Sequence, residues 1–147
     1  MSSRPRTIQC SSTGALHVVG FRRRLEFIIA DLLARLNGDY NPLHASPEVG
    51  REMGMGGVIV HGLFTYSSAC YGLLRKVCDS DASRLKEFQA RFTSPVRPGD
   101  KLITQMWCMG MVDGLEEVRF TTSNGAGKTV LGNGRALLLP ATIKSVL

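Results

Sequence analysis

The stretch MGMGGVIVHGLFTYSSACYGLL, residues 53–74, contains no aspartate, glutamate, lysine or arginine. A run of 22 uncharged residues is long enough to span a bilayer in principle, but this one carries five glycines together with His61, Thr65, Tyr66, Ser67, Ser68 and Tyr71. That composition suits a helix enclosed in protein. The pattern predicts a helix over about residues 62–77, small in its middle at Ser67, Ser68, Ala69, Cys70 and Gly72, and a helix so small and apolar must be closely wrapped.

The wrapping is written downstream, where the period changes from helical to alternating. Phe88, Ala90 and Phe92 share one face of a strand. Leu102, Thr104, Met106 and Cys108 share a second; Val118, Phe120 and Thr122 a third; Val130, Gly132, Gly134, Ala136 and Leu138 a fourth. Pro98-Gly99-Asp100, Asp113-Gly114 and Asn124-Gly125 separate these runs, and Asp-Gly and Asn-Gly suit the left-handed positions of tight turns. Four strands in an antiparallel meander need a layer over their apolar face, and the uncharged helix is the available one. The expected class is α+β, an antiparallel sheet wrapped around one long central helix.

Upstream, Leu25, Ile28, Ile29, Leu32, Leu33 and Leu36 recur at helical spacing, and Asn37-Gly38 supplies a stop. A loop rich in proline and glycine follows from Asp39 to Gly57. With 147 residues and 44% hydrophobic side chains the chain holds one domain, expected at residues 25–147, behind a flexible or atypical segment at 1–24. The net charge of +6 sits unevenly: residues 1–25 carry five arginines and no acid, while the rest carries 13 basic and 12 acidic side chains. No basic track with stacking aromatics follows Arg24, so nucleic acid is not an expected partner. Cys10, Cys70, Cys78 and Cys108 form no C-x-x-C pair and have no histidine at zinc-finger spacing, which predicts reduced thiols, no metal and a reducing compartment. The acid-free start reads either as a mitochondrial presequence or as a solvated tail, and Ser145-Val146-Leu147 is a degenerate match to a peroxisomal tripeptide.

Chemistry concentrates just before the uncharged helix. In Asp39-Tyr-Asn-Pro-Leu-His44 a proline turns the chain, so a carboxylate and an imidazole five residues apart can converge on one water. A loop-capping Asp39 and a structural His44 are the alternative. Gly62 opens the helix, where unpaired N–H groups point outward and a carbonyl could approach; a plain helix-start glycine is the alternative there. His61 reads as a packed loop residue, and His17 belongs to no site.

The strings Leu36-Asn-Gly-Asp-Tyr-Asn-Pro-Leu-His44, Gly54-Met55 and Val58-Ile-Val-His-Gly62 resemble the signature of 2-enoyl-CoA hydratase 2, the MaoC-like branch of the hot-dog superfamily. His61-Gly-Leu-Phe-Thr-Tyr66, Ala90-Arg-Phe-Thr-Ser-Pro-Val-Arg-Pro-Gly99 and Gln105-Met-Trp107 are similar to the C-terminal, catalytic half of the eukaryotic peroxisomal enzyme. The resemblance covers about residues 33–140. It implies a hot-dog fold and hydration of a trans-2-enoyl-CoA to the (R)-3-hydroxyacyl-CoA, or the reverse dehydration, without metal or redox cofactor. Asp39 and His44 match the catalytic pair, Asn41 a residue that shapes the pocket, and the Gly62 N–H the donor to the thioester carbonyl. The expected partners are an acyl-CoA thioester and a twin or second hot-dog half, without a membrane span; the expected compartment is the peroxisome, with cytoplasm or mitochondrion as alternatives. A hot-dog thioesterase and a non-catalytic acyl-thioester-binding subunit are the competing readings. Residues 63–74 lack the acid a thioesterase of this fold presents, and the intact Asp39/His44 pair argues against the binding subunit. Phe64, Tyr66 and Tyr71 on the helix are expected to stop the acyl channel after about four to six carbons.

Overall fold

The computed structural model describes residues 16–23 and 27–141, with the backbone alone over 16–23 and 27–30. Helix α1 (Phe27–Leu36) ends where expected. Gly38 takes φ +78°, and this reversal lets the Asp39 N–H donate back to the Ala34 carbonyl at 3.0 Å, so the first acidic residue of the loop is tied to the helix end. A single 3₁₀ turn (Pro42–His44) and a short helix α2 (Pro47–Glu52) lead to α3 (Gly62–Val77), which has the expected bounds. Its buried residues, Thr65, Ser68, Ala69, Gly72, Leu73 and Val77, recur every three or four positions and form one face.

That face packs on an antiparallel sheet of five strands: β1 (Leu16–Arg23), β2 (Leu85–Phe92), β3 (Leu102–Val112), β4 (Leu115–Ser123) and β5 (Thr129–Leu138), in the order β1-β3-β4-β5-β2. The hairpins β3–β4 and β4–β5 turn at Asp113-Gly114 and Asn124-Gly125 as the sequence predicts. The expected four-strand meander needs two corrections. β2 pairs with β5 instead of its sequence neighbour β3, because the connection 93–101 carries Pro95 and Pro98, which cannot donate to a ladder, and it crosses over instead. A fifth strand, Leu16–Arg23, adds to β3 from within the segment set outside the domain. Among the described residues no helix is long and apolar enough to cross a membrane.

Cross-strand rows build the core. Met106, Phe120 and Gly134 are register partners across β3, β4 and β5, and Cys108, Val118, Ala136 and Phe88 form the next row out to β2. Phe120 is 1% exposed, its ring stacked on Phe88 with centroids 4.7 Å apart. Gly134 makes room for it: a Cβ there would sit 2.4 Å from the Phe120 carbonyl oxygen and 2.5 Å from the ring. Burying side chains such as Phe120 and Leu73 contributes about 2–3 kcal/mol each.

Cys70 and Cys78 are free thiols, and burial pushes Cys78 up to about 11. Cys108 is disulfide-bonded, against the expectation of four reduced thiols. The compartment argument drawn from reduced cysteines falls with it.

On the opposite face, Glu117 is buried and accepts from Arg119 Nε at 2.6 Å and Arg135 Nε at 2.9 Å, while Arg135 Nη1 reaches Glu87 at 3.1 Å. The Arg135 hydrogen bond first, then Arg119, hold the Glu117 carboxyl below its ordinary value. A depressed native value means that this stabilisation is complete above the unfolded glutamate range, about pH 4–5, and is lost as pH falls through the native value. Thermal melts from pH 7 to pH 3 should therefore show a falling midpoint below about pH 4.5. Glu117→Gln should weaken that dependence; an unchanged acid limb in the variant would place its origin elsewhere.

Candidate active site

The loop after α1 is organised by its own side chains. Asp39 Oδ1 accepts the Asn41 N–H at 3.0 Å, and Asn41 Oδ1 accepts the Leu43 N–H at 3.1 Å, capping the 3₁₀ turn that Pro42 starts. These two turns leave Asp39 Oδ2 free and carry His44 back over it. His44 Nε2 lies 3.1 Å from Asp39 Oδ2, and its Nδ1 donates to the Ile59 carbonyl at 2.9 Å. The segment leading to α3 is drawn in by the Ile59 N–H on the Leu43 carbonyl and the Val60 N–H on the Val96 carbonyl. His61 thereby arrives with Nε2 3.4 Å from the same Asp39 oxygen and its ring edge-on to His44, centroids 5.4 Å apart.

The hydrogen bonding constrains the protons. Since a carbonyl only accepts, Nδ1 of His44 carries a hydrogen, and Nε2 is the ring nitrogen that faces the Asp39 carboxylate. Asp39 Oδ2 and His44 Nε2 thus stand at a distance across which a proton can pass between them. The Asn41 N–H, with the charges of His44 and His61 in support, holds the Asp39 carboxyl below the usual aspartate range. A dyad fixed at its far end by a backbone carbonyl can accept a proton from one atom and deliver one to another.

A cavity of about 330 Å³ opens beside the dyad at the start of α3, lined by His44, Gly62, Thr65, Phe92, Val96 and Val130 among others. Of the residues singled out in the sequence, His44 and Gly62 line it. Asp39 joins through His44, with about a third of its side chain exposed. Asn41 stays on the loop as a turn cap and lies outside the cavity wall. His61, expected as a packed loop residue, is 13% exposed and packs against the dyad outside the cavity wall. The expected channel stops are corrected. Phe64 packs sideways against Val60, Val96, Leu102 and Val130; Tyr66 hydrogen-bonds the Phe88 carbonyl; Tyr71 is exposed beside Arg75. None of the three borders the cavity, whose apolar walls come from Phe92, Val96 and Val130.

The sequence profile of the MaoC-like domain matches residues 29–129, spanning the loop, α3 and most of the sheet. The chain belongs to the MaoC-like domain family. Within that family it is 47% identical to "Probable dehydratase NIT22" of Ajellomyces capsulatus, over 72% of this chain and 30% of that protein. It is 41% identical to "Enoyl-CoA hydratase 2, peroxisomal" of Arabidopsis thaliana, over 68% of this chain and 31% of that protein. The chain thus spans about a third of the length of these MaoC-like relatives. A crystal structure of a MaoC-like dehydratase from Phytophthora capsici superposes with a TM-score of 0.77 at 26% identity, covering 97% of this chain and 47% of that one. The hot-dog architecture expected from the resemblance is the observed one.

Proposed function

We propose that this chain is the catalytic half of an enoyl-CoA hydratase 2, adding water to a trans-2-enoyl-CoA to give the (R)-3-hydroxyacyl-CoA, and dehydrating the product in reverse. The observation that carries the reading is the Asp39–His44 pair, 3.1 Å apart beside a cavity that opens at the N-terminus of α3. Water addition to a conjugated thioester needs a base for the water, an acid for the α-carbon and stabilisation of the charge that develops on the thioester oxygen. The dyad supplies the first two: as the water oxygen bonds to C3, its proton passes to the dyad and the dyad's proton goes to C2. The Gly62 N–H, at the positive end of a 16-residue helix, serves the third. The names of the enoyl-CoA hydratase 2 relatives support this reading. Helix α3 presents no carboxylate to the cavity, which disfavours a thioesterase.

The test is the loss of conjugated enoyl-thioester absorbance when purified chain is mixed with crotonyl-CoA. Steady turnover with no appearance of free thiol is expected; thiol release would mean thioester hydrolysis instead.

The cavity stands at the lower end of the roughly 300–1,000 Å³ range of ligand pockets. We propose a preference for acyl chains of about four to six carbons, with Phe92, Val96 and Val130 as the walls in place of the helix aromatics. The kcat/KM should fall for longer enoyl-CoAs, and a value that holds toward ten or more carbons would contradict this. We further propose that the sheet, with β1 and β2 at its edges, pairs with a twin or a related hot-dog half. Sedimentation at micromolar concentration should show a dimer; a fully active monomer would overturn the pairing. The peroxisome is the proposed compartment, on the name of the Arabidopsis relative.

A further inference from the structure

Beyond the dyad and the Gly62 N–H, the cavity wall carries the hydroxyls of Thr65, Thr93 and the half-buried Ser94, and of these Thr65 is the buried one without a partner among the described residues. Thr65 lies one turn into α3, borders the cavity and is 2% exposed, yet its Oγ1 has no hydrogen-bond partner among the described residues. Helical threonines usually turn Oγ1 onto a carbonyl three or four residues back, and here that bond is not made. The cavity's other threonine, Thr93, has its hydroxyl engaged, donating to the Thr129 carbonyl at 2.8 Å. A buried hydroxyl without a partner destabilises a fold, whereas valine would fill the same shape without that loss, so the group points to a ligand.

Residues three apart in a helix lie on one face, which places Thr65 directly behind Gly62 at the positive end of α3. Backbone N–H groups there can only donate, so what binds beside them is an acceptor. We propose that the Thr65 hydroxyl is a second donor to the acyl thioester carbonyl, acting beside the Gly62 N–H. This rests on the hydratase reading and deepens it. As water adds to C3, the C2=C3 electron pair moves between C1 and C2 and the carbonyl pair moves onto the thioester oxygen. Both donors meet that oxygen, and both bind it more strongly as its charge grows. Protonation at C2 then restores the carbonyl.

The test compares wild type, Thr65→Val and Thr65→Ser in crotonyl-CoA hydration, with melting curves alongside. Thr65→Val should lower kcat by about 100-fold, the effect of losing one oxyanion donor, and raise KM by at most about fivefold. Thr65→Ser should recover most of kcat, and Thr65→Val should melt no lower than wild type, since a merely structural hydroxyl would move stability instead. Wild-type kcat in Thr65→Val overturns the proposal. Calorimetric binding of the saturated butyryl-CoA needs no turnover and separates the two claims. If the wild type fails to hydrate crotonyl-CoA, the hydratase reading falls. A Kd about fivefold weaker in Thr65→Val would still support the carbonyl contact, and an equal Kd would overturn it.

Discussion

Glutamine in place of His44, and asparagine in place of Asp39, are each expected to lower kcat for crotonyl-CoA hydration by about 100-fold or more. Each exchange removes a proton-transfer group while nearly keeping its volume. Asparagine at 39 retains an oxygen for the Asn41 N–H, so the turn that positions His44 is preserved. Glutamine at 44 keeps a donor within reach of the Ile59 carbonyl but cannot share a proton with Asp39. Melting temperatures should therefore stay near wild type while the rate collapses. A variant that hydrates at the wild-type rate would remove the dyad from the mechanism.

The largest expected effect on stability lies away from the site, at Gly134. Alanine there would thrust its Cβ against the Phe120 backbone and ring, at 2.4 and 2.5 Å, in the middle of β5 with β4 on one side and β2 on the other. Phe120 cannot move aside, because its ring is stacked on Phe88. Overpacking of this kind costs about 3 kcal/mol, a large share of the stability of a domain this size. Chemical denaturation should show a correspondingly lower midpoint with an unchanged slope. A Gly134→Ala protein as stable as wild type would mean that the Phe88–Phe120 stack yields more easily than its geometry indicates.

The uncharged run places α3, but the close wrapping it suggests on all sides is not what this chain alone supplies: one face is buried on the sheet, while Leu63 and Tyr71 are 51% and 43% exposed. The β3–β4–β5 hairpins are equally legible, since Asp-Gly and Asn-Gly encode both a turn and its partner strands. Pro98-Gly99-Asp100 encodes a turn without saying what it joins, and so the placement of β2 beside β5 was not readable locally. β1 was missed because LHVVGFRR shows no alternation, and its place depends on the open edge of β3. In the site, Asp39 and His44 are close in sequence and their meeting follows from one turn. His61 reaches Asp39 only because two remote hydrogen bonds, to Leu43 and Val96, bring a separate segment alongside. The helix aromatics misled for a related reason: size marks a residue as able to block a channel, but the rotation of α3 against the sheet decides which residues border it. That rotation puts the small Thr65 at the cavity and turns Phe64 away.

The most direct test of the central claim is the configuration of the product. Purified chain incubated with crotonyl-CoA, and the product resolved by chiral chromatography, should give (R)-3-hydroxybutyryl-CoA from the wild type, with almost none from Asp39→Asn under the same conditions. An (S) product, release of free CoA, or an Asp39→Asn variant that yields as much (R) product as the wild type would contradict the account.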